Sequence, residues 1–298
     1  MSVQLYYYPV SPPCRAVLLT AEAVGLKVEL IEMNLMAGEV TPEFQELNPQ
    51  KTIPFMVDDD IKLSESRAIM TYLVDQYGEN DSLYPQNMEA RALVNQQLYF
   101  DLCTLYASIM DYYMPVFRKL TDTYDPAKFE KMTDAFQILN TILEGQDYVA
   151  GPNLTVADFS LIASVTTAEV FGFEMEEYKN VSDWLERIKE SAPGYQKVNG
   201  DAVEAFKQFL ESSLEKTNEE EEKEEGEEEK EEEEGENEDA GEEEKEEEEG
   251  EKEEAGEEEK EEEEGEKEEE GEEEKDEEAE EEKEEEGEEE KEEGGEED

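Results

Sequence analysis

The last 80 residues constrain this chain most, because they cannot build a hydrophobic core. Residues 219–298 contain 57 Asp and Glu, nine Lys, ten Gly, three Ala and one Asn, and no apolar side chain larger than alanine. A segment with so little apolar surface and so much like charge cannot offset the entropy lost on ordering its backbone. The sequence therefore predicts a disordered Glu-rich tail over 219–298, behind a folded portion.

The tail is built from a repeat that is poorly arranged for a solvated helix. The motif GEEEKEEEEG begins at positions 226, 241 and 256, and glycine stands four residues before the first lysine of each copy. The favourable Glu-to-Lys pairing at i,i+4 is therefore missing, and each glycine costs about 1 kcal/mol relative to alanine. Three roles stay open: solubility and spacing, an electrostatic tether to a basic protein partner, and weak binding of cations such as Ca²⁺.

The first 218 residues are acidic but rich in apolar side chains. They carry −18 of the total charge of −66, and they hold every aromatic residue. An acidic surface opposes binding to nucleic acid or to an anionic membrane, so we expect neither as a partner. The N-terminus shows no secretory signal and no apolar run approaches 18 residues, so a cytoplasmic location is expected.

Histidine is missing from the sequence, and this excludes several kinds of site. A Ser-His-Asp relay, a Cys-His pair and a histidine-ligated metal all need that side chain. Two cysteines, Cys14 and Cys103, are too few for a disulfide framework or a four-thiolate zinc site. We therefore expect no metal and no tightly bound cofactor, and any catalysis must use another kind of activation.

The order of periodic segments indicates an α/β portion at the N-terminus. Residues 3–7 alternate as on one face of a strand, a helical run follows and ends at Gly25, and alternation then resumes. A strand over 52–57, a short partner strand over 61–64 and a helix ending at Gly78 complete this portion. The pattern predicts a small mixed sheet with helices packed on it.

From residue 88 onward the periodicity is helical throughout. The candidate helices cover 88–118, 126–143, 156–170, 180–190 and 201–212. Thr155 and Asp158 have the spacing of a capping box at the start of the third. The sequence therefore predicts one domain over 1–84 and an all-helical domain over 88–212, joined by the linker Tyr84-Pro-Gln-Asn87.

The motif Ser11-Pro-Pro-Cys14 lies where the first strand passes into the first helix. It has the spacing of a thioredoxin C-x-x-C motif whose attacking cysteine is replaced by serine, so a dithiol mechanism lacks its first sulfur. We expect Cys14 to point into the first helical turn as a small apolar residue. Taken alone, Ser11 is a helix cap, and Arg15 is expected to form a structural salt bridge.

Several longer blocks occur in a recognisable order. They include SPPCRAVLLTAEAVGL, ELNPQKTIPFMVDD, SESRAIMTYLVDQYG and LEGQDYVAGPNLTVADFSL. Over about residues 3–210 these blocks resemble the cytosolic glutathione transferases, above all the insect-type delta and epsilon classes. The resemblance implies a thioredoxin-like α/β N-terminal domain that holds glutathione, an all-α C-terminal domain that holds a small lipophilic electrophile, and a homodimer.

Ser11 matches the serine that, in these classes, donates a hydrogen bond to the glutathione sulfur. The resemblance thus implies conjugation of a serine-stabilised thiolate to lipophilic electrophiles, with glutathione as co-substrate. Helix capping is the alternative role for Ser11. A second function also stays open: a protein of the same fold used for binding or structure, attached to basic partners by its tail.

The same resemblance implies residues that bind glutathione. Ile53 and Pro54 match a cis-proline turn that pairs with the cysteinyl part, and Lys51 replaces a histidine near the glycyl carboxylate. Without the resemblance, Pro54 would indicate only the entrance to a strand.

A second group of implied glutathione-binding residues surrounds the start of the third helix. Glu65 and Asp101 match acids near the γ-glutamyl ammonium, and Ser66 would take the carboxylate. Arg67 would neutralise this corner and orient Glu65. A capped helix start explains the S-E-S-R segment equally well.

Apolar side chains at helical spacing are candidates for the electrophile pocket. They are Tyr106, Ile109, Tyr113, Met114 and Phe117, with Phe206 closing the pocket. Such stripes are more often core, but together they indicate a large apolar pocket suited to lipophilic electrophiles.

Overall fold

A four-stranded mixed sheet forms the N-terminal half of the computed structural model, which describes residues 2–212. The strands are β1 (Val3–Tyr7), β2 (Val28–Glu32), β3 (Phe55–Asp58) and β4 (Ile61–Leu63). They lie in the order β2-β1-β3-β4, with β1 and β2 parallel and the other pairs antiparallel. The third strand begins at Phe55 rather than residue 52, because Pro54 has no N–H to give to a ladder. The predicted tail lies outside the described residues.

Three helices accompany this sheet. They are α1 (Pro12–Ala23), α2 (Pro42–Leu47) and α3 (Ser66–Tyr77). Gly25, just beyond α1, has φ +72°, a left-handed conformation that lets the chain turn back into β2 at no steric cost. The predicted strand-helix-strand order is therefore confirmed.

Six helices make up the rest of the described chain. They are α4 (Met88–Phe100), α5 (Tyr106–Phe117), α6 (Pro126–Ile142), α7 (Val156–Val170), α8 (Lys179–Ser191) and α9 (201–212). The run predicted over 88–118 is divided by a π-helical turn at Asp101–Leu105. A second π-helical turn, Gln196–Gly200, leads into α9. A π-helical turn is wider than an α-helical one and leaves no hydrophobic periodicity of its own in the sequence. Neither of the two π-helical turns was therefore predicted.

Helix α7 lies at the centre of the fold. It is buried continuously from Val156 to Ala168, as expected for a helix that is apolar on nearly all sides. It packs on α1 and α4, and one apolar core runs from β1 to α8. The thioredoxin-like and all-helical halves therefore share a core, and the predicted fold class is confirmed. Between residues 2 and 212, no helix is both long and apolar enough to cross a membrane.

The predicted capping box begins α7. The backbone N–H of Thr155 donates to the Asp158 carboxylate at 2.9 Å, and the Thr155 hydroxyl donates to the same oxygen at 3.1 Å. The backbone N–H of Val149 and the indole N–H of Trp184 reach the other carboxylate oxygen, each at 3.0 Å. One buried carboxylate thus joins the start of α7 to α8 and to the preceding loop.

Candidate active site

Strand register brings three of the predicted site segments to one edge of the sheet. Tyr6 pairs with Phe55 and Met56 pairs with Leu63. Continuing the ladders by two residues or fewer places Pro54 between the end of β1 and the end of β4. Helices α1 and α3 both begin at this edge. The motif with Ser11, the proline turn and the S-E-S-R segment therefore meet there.

Ser11 is the N-cap residue of α1, but its side chain caps nothing. The Ser11 hydroxyl oxygen accepts no capping hydrogen bond from a backbone N–H of α1, and Pro12 and Pro13 occupy the next two positions. Its backbone is held, since its N–H donates to Tyr8 O at 3.1 Å. The hydroxyl instead lies close enough to the Cys14 thiol to lower the pKa of that thiol. Capping, the alternative role for Ser11, is not what the side chain does here.

Cys14 is fully buried, as the motif predicts. Burial raises the pKa of its thiol to about 11, against the opposing effects of hydrogen bonds from Ser11 and the Tyr8 backbone. A thiol of that pKa has almost no thiolate at neutral pH. Cys14 is therefore a packing residue and not a nucleophile.

Because of this burial, we expect Cys14 to resist alkylation in the native protein. The pKa rises from 9.0 to about 11, so the thiolate fraction near pH 7.5 falls about a hundredfold. Iodoacetamide should leave Cys14 unmodified in the folded chain and modify it in denaturant, as read by peptide mass spectrometry. Rapid native labelling of Cys14 would contradict the burial described here.

Arg15 does not form the salt bridge that was predicted for it. Its guanidinium is buried and donates to neutral oxygens only: Thr166 Oγ1 at 3.0 Å, Asn199 Oδ1 at 2.6 Å, Ala163 O at 2.9 Å, and Thr167 Oγ1. The prediction was wrong because the partner residues lie more than 140 positions along the chain, where only tertiary packing brings them to α1.

The turn before β3 contains a cis Ile53–Pro54 peptide bond, as the resemblance implied. Asn48 holds this turn: its Nδ2 donates to Thr52 O at 2.7 Å, and its Oδ1 accepts from the Ser64 hydroxyl at 3.1 Å. Lys51 is exposed on the same turn, with φ +56°. The turn is thus tied to the segment that precedes α3.

The S-E-S-R segment begins α3 with an unusual backbone. Glu65 is exposed and has φ +68°, a conformation that is costly for a residue with a Cβ. Such strain persists where the surrounding structure enforces it, and it is concentrated at functional sites. Ser66 follows, buried, as the first residue of the helix.

Arg67 links this corner to the helical half. Its Nη1 donates to Ser66 Oγ at 3.1 Å, its Nη2 forms an ion pair with Asp101, and its guanidinium carbon lies 5.4 Å from the centre of the Tyr106 ring. Arg67 therefore neutralises Asp101 and positions Ser66. The expectation that it orients Glu65 stays a prediction.

Asp101 is fully buried and is held by two serines that the sequence did not indicate. Its carboxylate accepts hydrogen bonds from the hydroxyls of Ser160 and, at 2.7 Å, Ser164. The π-helical turn that begins at Asp101 re-aims this stretch of the helix. Two serines four residues apart, both buried in α7, are the signal that could have identified the pair.

The predicted electrophile-pocket residues divide into two groups. Tyr113, Phe117 and Phe206 converge on Phe171, with ring-centre distances from it of 4.6, 5.8 and 5.5 Å. Phe171 was missed, because it lies in the segment after α7 where no periodicity places it. This aromatic cluster joins α5, α7 and α9.

The other pocket candidates lie elsewhere on α5. Tyr106 is half-buried beneath Arg67, and burial raises the pKa of its hydroxyl. Met114 is half-buried. Ile109 is fully buried in the core, so the structure gives it a packing position.

Comparison with known proteins places this geometry in a family. A model described as the glutathione S-transferase N-terminal domain matches residues 5–81, and the model of the C-terminal domain matches 105–192. Glutathione S-transferase D7 of Drosophila melanogaster is 43% identical over 213 residues, which are 70% of this chain and 94% of the relative.

Solved structures agree. A delta-class glutathione transferase of Nilaparvata lugens is 44% identical with a TM-score of 0.68, over 70% of this chain and 99% of that one. Bombyx mori glutathione transferase BmGSTD1 is 42% identical with a TM-score of 0.67, and the match covers 70% of this chain and 98% of that one. A glutathione transferase homolog of Drosophila mojavensis with bound glutathione is 33% identical with a TM-score of 0.67, and the match covers 71% of this chain and 98% of that one. The chain belongs to the glutathione S-transferase family of enzymes, whose co-substrate is glutathione.

Proposed function

We propose that this enzyme conjugates glutathione to small lipophilic electrophiles, and that the Ser11 hydroxyl stabilises the attacking thiolate. The observation that supports this most directly is the state of that hydroxyl. It stands at the N-terminus of α1, makes no capping bond, and lies beside a sulfur atom, that of Cys14, whose pKa it lowers. Rotation of the side chain would redirect the same donor to the sulfur of glutathione.

The size of the effect needed is modest. A thiol with a pKa of about 8.5 is only about 7% ionised near pH 7.4, and lowering the pKa by about two units raises ionisation to near 90%. That shift requires roughly 2.7 kcal/mol of preferential thiolate stabilisation. A hydrogen bond to a charged acceptor is worth about 1.5–3 kcal/mol, so one hydroxyl can supply much of it.

We propose that the corner around α3 binds the γ-glutamyl part of glutathione. Glu65 is exposed there to meet an ammonium group, and Ser66 stands at a helix N-terminus, which favours a carboxylate. Arg67 Nε is buried without a partner among residues 2–212, so it is a donor in need of an acceptor. Asp101 would act by holding Arg67.

The remaining assignments are proposals of the same kind. Lys51 would meet the glycyl carboxylate, and Ile53 and Pro54 would pair with the cysteinyl backbone. The electrophile would lie among the aromatic and apolar residues of α5 and α9, with Phe171 added to the predicted set. We propose that 1–84 serves as the glutathione domain and 88–212 as the electrophile domain.

A homodimer in the cytoplasm is the proposed setting. Family membership supports dimerisation, and three large apolar side chains of α4 are open to solvent in the single chain: Met88, Leu93 and Tyr99 are exposed by 85%, 49% and 67%. Apolar surface of this kind is typical of protein interfaces. The predicted partner and cation-binding roles of the tail concern residues outside the described part of the chain and stay predictions.

The direct test is turnover by the full-length chain. Initial rates of conjugation to 1-chloro-2,4-dinitrobenzene should be well above the uncatalysed rate, and the protein should be retained on immobilised glutathione. Retention without turnover, across several electrophiles, would favour the binding function instead. Failure on both counts, from a folded protein, would refute the glutathione site itself.

A further inference from the structure

Arg15 holds a positive charge that no group among residues 2–212 neutralises. Its side chain is 1% exposed, and every hydrogen bond that it donates goes to a neutral oxygen of α7 or of Asn199. Its Nε is buried with no partner in the part of the chain that the structure describes. Burial lowers the pKa of Arg15 only to about 10, so the guanidinium stays protonated at neutral pH. An unpaired buried charge of this kind is rare and costly.

The ionisable groups that face Arg15 do not supply an anion. Three of them interact with its charge: Tyr195, Cys14 and Tyr106. Because burial raises the pKa of each, all three are neutral near pH 7. They come from the segment before α9, from α1 and from α5.

The carboxylates on the elements packed around α1 have other partners. Glu22 pairs with Lys197 at 2.5 Å, and Asp101 pairs with Arg67. On α7, Asp158 accepts four hydrogen bonds at the far end of the helix, and Glu169 interacts with Lys189. Within residues 2–212, the charge of Arg15 therefore remains uncompensated.

The beginning of α1 makes such a charge useful. A helix N-terminus ordinarily favours anions through its free N–H groups. Here Pro12 and Pro13 occupy the first two positions, so two of those N–H groups do not exist. Arg15 lies four residues after Ser11, one helical turn below the hydroxyl. With fewer free N–H groups at this helix start, a formal positive charge nearby adds to the potential that the helix dipole supplies.

We propose that the uncompensated charge of Arg15 stabilises the glutathione thiolate at Ser11 through space, while its hydrogen bonds fix α1 against α7 and Asn199. This inference rests on the proposed function. Arg15 is a positioning residue: it does not touch the sulfur, and it acts through the potential at the start of α1. Neutralising the charge of Arg15 without removing the side chain should therefore raise the thiol pKa of bound glutathione.

The substitution Asn199→Asp does this with almost no change of shape. Asn199 Oδ1 already accepts from Arg15 at 2.6 Å, and a carboxylate there would form the missing ion pair. With the positive charge balanced, the thiol pKa of bound glutathione should rise by about 0.5–1 unit. The pH profile of kcat/KM should move to higher pH by the same amount, and the rate near pH 6.5 should fall about three- to tenfold, while the rate at alkaline pH is kept.

The measurement is the ultraviolet thiolate absorbance of glutathione bound to the full-length chain, titrated with pH. The control is Asn140→Asp, which adds the same charge on α6, at a residue that accepts from the Asn180 backbone N–H at 2.9 Å. That control should leave the pKa within about 0.2 unit of the wild-type value. A folded Asn199→Asp variant with an unshifted pKa would overturn the inference.

A second pair of variants decides the question if Asn199→Asp does not fold. Arg15→Lys keeps the charge and loses the fork of donors, whereas Arg15→Gln keeps an amide donor and loses the charge. We expect the thiol pKa to rise in Arg15→Gln only; an equal pKa in both would refute the electrostatic role. If the wild-type chain shows no thiolate absorbance, the proposed function fails first, and this inference fails with it.

Discussion

Replacing Ser11 by alanine is expected to lower kcat/KM for glutathione conjugation about 10- to 100-fold. The change removes one hydroxyl donor at the start of α1, and that hydroxyl takes no part in capping the helix. The substitution should therefore weaken stabilisation of the thiolate and leave the stability of the fold unchanged. The thiol pKa of bound glutathione should rise, and the measurement is the initial rate with 1-chloro-2,4-dinitrobenzene across pH.

A matched serine gives the control for this prediction. The Ser182 hydroxyl donates to Met175 O at 3.0 Å in the α8 region, so Ser182→Ala removes the same atom away from the proposed site. It should keep wild-type turnover. If Ser11→Ala retains its rate and its pH profile, the hydroxyl is not the group that stabilises the thiolate, and another donor at the same edge of the sheet must be sought.

Replacing Asp158 by alanine is expected to lower the free energy of unfolding by about 4 kcal/mol. The carboxylate accepts four hydrogen bonds, from Val149, from Thr155 twice and from Trp184, and it is fully buried. Alanine would leave those donors unsatisfied in the core and remove the capping box of α7. Urea denaturation followed by far-ultraviolet circular dichroism, and by the fluorescence of Trp184, the sole tryptophan, measures the change.

The comparison for Asp158 is an aspartate on the surface. Asp183 pairs with Lys179 at 2.6 Å one turn along α8, and both side chains are largely exposed. Asp183→Ala should change stability by no more than about 0.5 kcal/mol. A loss below about 1 kcal/mol in Asp158→Ala would show that the loop before α7 rearranges to satisfy the freed donors.

Much of the fold was accessible to sequence reasoning because its signals are local. Alternation over residues 3–7, the stop at Gly25 and the capping box at Thr155 each depend on side chains a few positions apart. The conversion of a thioredoxin-like motif into Ser11-Pro-Pro-Cys14 also lies within four residues. Local chemistry of this kind is set before any tertiary contact forms.

Other parts of the site depend on contacts between distant segments. Phe171 completes the aromatic cluster from a loop without periodicity, and Ser160 and Ser164 reach Asp101 from 59 and 63 residues away. Arg15 was expected to find a carboxylate and instead found threonines and an asparagine. Residue type alone predicted its burial poorly, since arginine is almost never fully buried without an anion.

The sequence by itself determined which 218 residues could build a core, the order of strands and helices, and the presence of a serine at the start of α1. Only the tertiary structure decided that the Ser11 hydroxyl is free of capping, that Asp101 balances Arg67, and that no carboxylate among residues 2–212 balances Arg15. The physical reason is the distance along the chain over which each interaction acts. Periodicity and capping act between neighbours in the chain, whereas the charge state and partners of a buried group depend on every segment that packs around it.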